Sequence, residues 1–298
     1  MSASYLEANA RERIVQVLDA GSFTELLPPS QRVVSPHLGQ LDAPVSFDDG
    51  VVVGEGTLGG KPVMAAAQEG GFMGGAVGEV HGAKLVGLLK RAIRKKAAGV
   101  VLLLETGGVR LHEANAGLIA VSEVMRAVLD ARAAGIPVIV LVGGANGCFG
   151  GMGIVARCAN TVIMSEEGRL AMSGPEVIET ANGVEEFDSR DRALVWRTTG
   201  GKHRYLIGDC QALVNDDVEA FRAAAIAALD AIGATALTLE SLEAEQEMLR
   251  RRIATFGHAA DPMDIWAELG VERPQAVPML EAAAFTAMAD AHRIQSKA

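Results

Sequence analysis

Two glycine-rich segments carry the chemistry this sequence offers: Glu105-Thr-Gly-Gly-Val-Arg110 and Asn146-Gly-Cys-Phe-Gly-Gly-Met-Gly153. Each follows an apolar run that reads as a buried strand, Val100–Leu104 and Val138–Val142, and each runs into a helix-like stretch. A Gly-Gly step at such a junction admits a ligand atom close to the main chain, and a helix start leaves N–H groups unpaired. Two such places side by side supply a pair of backbone donors for a negatively charged oxygen, which is the outline of an oxyanion hole. The expected donors are the amides of Gly107, Gly108, Gly150 and Gly151.

For these donors to converge, both turns must lie at one edge of a sheet. The pattern places them there. Val51–Leu58 and Pro62–Gln68 flank Gly59-Gly60 and read as a hairpin. Gly70-Gly-Phe-Met-Gly-Gly75 follows, then a helical pattern to about Ala98. After it come a strand over 99–104, a helix over 112–133, a strand over 137–142, a helix from about 150 and a strand at Thr161–Met164. This β-α-β-α order implies an α/β fold of parallel strands joined by crossover helices, whose carboxyl ends share one edge. Residues 4–20 read as an amphipathic helix. Asp188 and Asn215 are read as caps of helices over 189–199 and 216–231, a charged amphipathic stretch covers 237–257, and a last helix lies near 279–292. The economical organisation is a single domain over 1–298, with a helix and loop over 1–44, an α/β core over 45–235 and a helical extension over 236–298.

The 298 residues are 49% hydrophobic with 34 glycines and few aromatics, which suits a layered core closely packed through small side chains. A net charge of −10 argues against grip on a nucleic acid backbone. One local basic stretch, Lys84, Lys90, Arg91, Arg94, Lys95 and Lys96, reads either as a solvated helix face or as a dock for a phosphate-bearing group or acidic carrier. The three cysteines, Cys148, Cys158 and Cys210, lack paired spacing, so neither a disulfide framework nor a metal site is expected. Nothing resembles a signal peptide or a membrane span, and the expected location is the cytoplasm.

Other motifs fail on spacing. Gly151-Met-Gly153-Ile-Val-Ala156 matches G-x-G-x-x-A, but the strand before it ends near Val142, too early for a dinucleotide fingerprint. There is no Gly-Lys-Ser/Thr of a P-loop and no G-x-S-x-G elbow. The six histidines have no helix-borne metal spacing.

Several linked segments resemble the carboxyltransferase branch of the crotonase-like superfamily. They are Ala10-Arg-Glu-Arg-Ile14 with Leu18-Asp-Ala-Gly-Ser-Phe-Thr-Glu25, then Gly107-Gly-Val-Arg-Leu-His-Glu113, then Ala171-Met-Ser-Gly-Pro-Glu-Val-Ile-Glu179. Within that branch, Gly70–Lys84 and Lys202-His-Arg-Tyr-Leu-Ile-Gly-Asp209 look like the β subunits of biotin-independent malonate decarboxylases. Two departures separate the chain from acetyl-CoA carboxylase. It lacks a four-cysteine zinc ribbon, and Glu176 stands where the carboxyltransferases have Arg.

The resemblance implies a crotonase-like (ClpP/crotonase) fold with parallel sheet layers and helical extensions at both ends. It implies decarboxylation of malonyl-S-acyl carrier protein to acetyl-S-acyl carrier protein and CO2 through an enolate. The alternative is the carboxyltransferase subunit of a biotin-dependent acyl-CoA carboxylase. It further implies no cofactor bound covalently to this chain, and a phosphoribosyl-dephospho-CoA prosthetic group on the carrier. The implied partners are a γ subunit, the acyl carrier protein and an acyl-carrier transferase subunit. Gly70, Gly71, Phe72, Met73, Gly74, Ser173 and Gly174 are implied to bind substrate. The enolate also needs a proton, for which His81, His112, Glu113, Cys148 and His203 are all conceivable donors.

Overall fold

The computed structural model describes residues 3–294. In chain order its elements are α1 (Ala10–Val17), β1 (Thr24–Glu25), β2 (Val51–Leu58), β3 (Lys61–Gln68), α2 (Glu79–Lys95), β4 (Gly99–Leu103), α3 (Asn115–Ala133), β5 (Val138–Val142), α4 (Gly151–Cys158) and β6 (Thr161–Ser165). Then follow α5 (Pro175–Asn182), α6 (Arg192–Thr199), α7 (Gly201–Leu206), β7 (Ala212–Val214), α8 (Val218–Ala231), α9 (Leu239–Phe256), α10 (Pro262–Glu268) and α11 (Ala282–Ala289).

The seven strands form one sheet in sequence order. β1, β2 and β3 pair antiparallel, and β3 through β7 run parallel. The β2–β3 hairpin turns at Gly59 and Gly60, with φ of 59° and 78°. That pair of positive angles is what a two-residue hairpin turn demands, and glycine meets it without strain. β4, β5 and β6 are buried on both faces, as expected of parallel strands covered by crossover helices.

Alternation along these strands divides the core in two. Val100, Leu102, Val138, Val140 and Val162 face a cluster shared with α2, α3 and α4. Val101, Leu103, Ile139, Leu141 and Ile163 face α1 and α8. Trp266, Val277 and Phe285 of the C-terminal helices join the first cluster. α2 and α3 come close because Gly82 lies against Ala120, where an added Cβ would sit 2.6 Å from the Ala120 Cβ.

Several expected boundaries shift, each for a local reason. The first helix spans only Ala10–Val17, because Asn9 and Glu12 form a capping box that starts it. Asp191, not Asp188, caps the helix before Thr199, and Asp217, not Asn215, caps α8. They lie three and two residues past the expected capping side chains, which are equally able to cap. The stretch at 112–133 opens with a 3-10 turn over Leu111–Glu113, then a residue at φ 45°, Ala114, before α3 proper. The last helix is Ala282–Ala289, shorter than expected, and residues 295–298 lie outside the described residues.

Candidate active site

Three glycine turns leave the carboxyl edge of the parallel sheet: Gly70–Gly75 after β3, Thr106–Gly108 after β4 and Gly143–Gly151 after β5. They are stitched together by their own main chains. Gly107 N–H donates to the Gly74 carbonyl (2.8 Å), Val77 N–H to Gly108 (2.9 Å) and Arg110 N–H to Val77 (2.9 Å). Thr106 N–H donates to Gly147 (2.7 Å), and Phe149 N–H returns to Thr106 (2.9 Å). Cys148 N–H donates to Arg169 (2.7 Å) and Gly150 N–H to Met172 (2.8 Å), which brings in the Arg169–Gly174 segment. The pairs Val77–Val109, Thr106–Cys148 and Cys148–Leu170 are parallel bridges, so these loops form a short second layer over the main sheet.

The outcome for the expected donors follows from hydrogen-bond accounting. Gly107 and Gly150 have already spent their N–H groups on carbonyls, and Gly108 donates to the Thr106 hydroxyl at 3.0 Å. Two neighbouring amides are different. Among the described residues, Val109 N–H and Gly151 N–H have no hydrogen-bond partner. Gly151 is the first residue of α4, whose opening N–H groups have no carbonyl within the helix. Val109 alternates with Gly108 and Arg110 in the bridge to Val77, which uses its neighbours and leaves its own N–H pointing away from that pair.

The two turns meet at Gly108 and Gly150. A Cβ at Gly150 would lie 3.0 Å from the Gly108 Cα and 3.9 Å from the Val109 nitrogen. Gly150 has φ 63° and ψ −144° and Gly108 has φ 133°, angles that resist any side chain. The unpaired amides of Val109 and Gly151 therefore flank a gap kept clear by two glycines.

The residues expected to bind substrate lie on the two segments that bond to these turns, through the Gly74 and Met172 carbonyls. Gly70 through Gly74 lie on one; the Gly70 carbonyl accepts from the Asn146 side chain (3.0 Å). Phe72 is turned inward, with the Arg110 guanidinium 5.3 Å from its ring centre and Gly50 beneath it. Ser173 and Gly174 lie on the other, after the Met172 carbonyl that holds Gly150, and Gly174 caps α5.

A buried ionic layer supports the turns. Arg110 has no side-chain exposure and donates to Asp49 (3.0 and 3.1 Å), to Glu113 (2.8 Å) and to the Ala76 carbonyl (3.2 Å). Burial raises the Asp49 carboxyl despite the opposing pull of Arg110. Burial works the same way on Glu113, but bonds from Ser35 (2.6 Å), the Glu79 N–H (2.6 Å) and Arg110 outweigh it and hold Glu113 below its ordinary range. Closer to the gap, the Glu105 carboxylate pairs with Arg13 and accepts from the main chain and side chain of Asn146 (3.1 and 3.2 Å). The Glu105 N–H donates to Gln68 (3.0 Å).

This geometry sorts the five conceivable proton donors. His81 is buried between Gln68 (3.0 Å) and the Asp49 carbonyl (3.1 Å), and burial, then Arg110, drives its pKa down to about 3. His203 is buried against the Trp266 indole N–H (3.2 Å), and burial likewise takes it to about 3. Burial pushes the Cys148 thiol up to about 12. Glu113 is consumed by its ion pair. His112 alone of the five is exposed, on the turn that follows Arg110.

Sequence reasoning missed Arg13, Asp49, Gln68, Glu105 as a charge, and Val109. Arg13 lay in a quoted motif with no chemical role attached, and nothing local shows that it reaches a strand end 92 positions away. The basic stretch is partly absorbed by structure. Lys84 is buried and donates to the Asp48 (2.7 Å) and Val51 carbonyls, while Arg91 pairs with Glu55 (3.0 Å). Among the described residues no group of three or more His, Cys, Asp or Glu is placed to hold a metal, and no helix is long and apolar enough to cross a membrane.

Comparison with known proteins agrees with the motif resemblance. The chain is 43% identical to the malonyl-S-ACP:biotin-protein carboxyltransferase MADC of Malonomonas rubra, over 92% of each chain. It superposes on a chain of a Pseudomonas malonate decarboxylase hetero-tetramer in complex with malonate, with a TM-score of 0.80, 41% identity and coverage of 87% of this chain and 93% of that one. A Pseudomonas malonate decarboxylase MdcD-MdcE hetero-dimer gives a TM-score of 0.67 at 38% identity, covering 83% and 96%. Residues 7–255 match the carboxyl transferase domain, and with the mixed α/β fold and parallel sheet of its crotonase-like neighbours the chain belongs to the carboxyl transferase family, in its malonate decarboxylase branch.

Proposed function

We propose that this chain is the β-type subunit of a malonate decarboxylase, and that it converts malonyl-S-acyl carrier protein to acetyl-S-acyl carrier protein and CO2. The observation that carries this reading is the pair of unpaired amides, Val109 and Gly151, on either side of the Gly108–Gly150 contact. When the bond to the malonyl carboxylate breaks, its electron pair moves into the thioester and charge gathers on the thioester oxygen. Two fixed N–H donors stabilise that oxygen, each worth on the order of 10²–10³ in rate. Carbon dioxide leaves, and the enolate carbon takes a proton. His112, open to solvent beside the first turn, is the chain's own candidate for that step. Gly107, Gly108 and Gly150 shape the gap, and Gly70–Gly74 with Ser173 and Gly174 line it.

The site is open. Leu111 is 87% exposed and Met172 is 69% exposed beside the turns, with Leu118, Ile119 and Val177 also uncovered. This fits a half-site closed by a partner chain. The reading assigns that place to a γ subunit, with the carrier protein presenting malonate on a phosphoribosyl-dephospho-CoA arm loaded by an acyl-carrier transferase, all in the cytoplasm. The test is reconstitution. The chain with its γ partner and loaded carrier should release CO2, and no release from the complete complex rejects the reading.

A second reading is supported by the name of the Malonomonas rubra relative, a carboxyltransferase acting toward a biotin protein. There the carboxyl group would pass to biotin. Avidin separates the two: it abolishes transfer to biotin and leaves direct release of CO2 unaffected.

A further inference from the structure

Beyond the carboxyl end of β6, residues of α6, α7 and α10 enclose a cavity of about 90 Å3 that is lined by none of the glycine-turn residues. Trp196 and Trp266 give it apolar walls, and His203, Lys202, Arg197 and Glu166 supply its polar groups. His203 is 6% exposed, and its Nδ1 accepts the Trp266 indole N–H at 3.2 Å. An indole nitrogen only donates, so the neutral imidazole carries its proton on Nε2. Among the described residues that Nε2–H has no hydrogen-bond partner, and burial keeps the ring neutral, with a pKa of about 3. A buried donor left without an acceptor costs free energy and is rare, so this one calls for an occupant of the cavity.

Charge and size narrow the occupant. Lys202 is 5% exposed; its ammonium donates to the Pro278 carbonyl (2.9 Å) and lies 4.0 Å from Glu166, which leaves a further proton to give. Arg197 is already matched by Asp261 (2.8 Å). Burial raises the Glu166 carboxyl to about 7 against the pull of Lys202, so below neutrality the cavity holds a surplus positive charge. Its volume is that of about three waters at roughly 30 Å3 each, room for about three or four heavy atoms. Glu166, Lys202 and Pro278 also line an outer cavity of about 240 Å3 that carries Glu167, Asp216 and Glu281. That acidic approach disfavours anions of higher charge. We propose that the inner cavity is a binding site for a small monovalent oxyanion, a carboxylate of one or two carbons or bicarbonate, held between the His203 Nε2–H and the Lys202 ammonium.

This binding is independent of the reaction at the glycine turns. Trp196 and Trp266 are the only tryptophans in the sequence and both line the cavity, so intrinsic fluorescence reports on its occupant. The full chain is titrated with formate, acetate and bicarbonate at constant ionic strength, with butyrate, which is too long, and sulfate, which is too highly charged, as controls. At least one of the first three should change the emission saturably, and the tightest of them names the source of the oxyanion. Lys202→Met and His203→Asn should each weaken binding about tenfold or more, with the fold followed by circular dichroism. In His203→Asn the amide oxygen stands in for Nδ1 as acceptor from Trp266, and nothing replaces the Nε2–H. Affinity for acetate should fall as the pH is raised from 6 to 8 and Glu166 gains charge beside Lys202 and Glu167, and Glu166→Gln should remove that fall. A response to all three anions no greater than that to sulfate overturns the proposal and leaves the cavity to water. So does butyrate binding as tightly, wild-type affinity in both Lys202→Met and His203→Asn, or a pH dependence unchanged in Glu166→Gln.

Discussion

Glu105 accepts hydrogen bonds from both the main-chain N–H and the side-chain amide of Asn146, at 3.1 and 3.2 Å. The first residue of one glycine turn thereby fixes the first residue of the other. Asn146 then passes the link to the Gly70 carbonyl, and Arg13 neutralises Glu105 from the first helix. The fit is tight, since a Cβ on Gly70 or Gly144 would lie 2.4 or 2.3 Å from the Glu105 carboxylate oxygens. A single carboxylate holds all three turns in register.

Glu105→Gln keeps the shape and an acceptor for Asn146 but leaves the buried Arg13 without a counter-charge. Breaking one side of a buried pair should cost about 3 kcal/mol or more. Urea denaturation of Glu105→Gln measures this. Arg13→Met combined with Glu105→Gln should recover part of the loss, because no charge is then stranded. A loss under about 1 kcal/mol would mean that solvent reaches the pair and screens it.

Gly150→Ala and Gly151→Ala fail for different reasons. At Gly150 the new methyl enters the gap 3.0 Å from the Gly108 Cα, at a φ of 63°. At Gly151 it meets Val121 of α3 at 2.5 Å and pushes the helix start outward. Both displace the Gly151 amide, and decarboxylation by the assembled complex should fall on the order of 10²-fold, the usual effect of losing one such donor. Val121→Ala should rescue Gly151→Ala in part and leave Gly150→Ala unchanged. Full activity in both glycine variants would remove the amide pair from the mechanism.

The five strands from the hairpin to Thr161–Met164 and the shared edge of the glycine turns were legible in the sequence, while the edge strands β1 and β7 were not. The legible elements rest on apolar runs and on Gly-Gly steps whose conformational demands are local. Which amides of the two turns stay unpaired was not legible to the residue. Gly107 and Gly150 are spent on carbonyls of Gly74 and Met172, both supplied by distant loops, and Gly108 on the Thr106 hydroxyl, so the free N–H groups are those of Val109 and Gly151. The ionic layer was hidden for the same reason: Arg110 finds Asp49 across 61 positions, and charged residues in isolation read as surface. Lys84 shows the converse, a residue read as part of a basic face whose ammonium is sealed under two carbonyls.

Glu166 makes stability fall as pH rises through neutrality. Burial raises its pKa from the ordinary 4.5 to about 7, against the opposing pull of Lys202. Between those values the folded protein holds a proton that the unfolded chain has released, so folding is favoured at the acid end and loses that advantage on titration. Glu166→Gln should therefore gain on the wild type as pH is raised from 5 to 8, read as a shift in urea midpoint. A difference that stays constant over this range would show that Glu166 titrates as it does in the unfolded chain.

His81 and His203 act with the opposite sign and in a lower window. Each is held neutral, with a pKa near 3 in the folded protein against 6.5 unfolded. Below pH 6.5 the unfolded chain takes up a proton at each site that the folded protein refuses, so stability is complete above that value and falls as the solution is acidified toward 3. Each site should contribute a slope of about 1.4 kcal/mol per pH unit once the unfolded imidazole is charged. Between pH 6 and 4, His203→Gln, which keeps an acceptor for the Trp266 N–H, should remove one such slope from the curve. His81→Gln should remove the other, and the two together should leave only the carboxylate contribution. An acid limb unchanged by both substitutions would mean that these imidazoles gain protons in the folded state, and that the interior around Asp49 and Trp266 admits water.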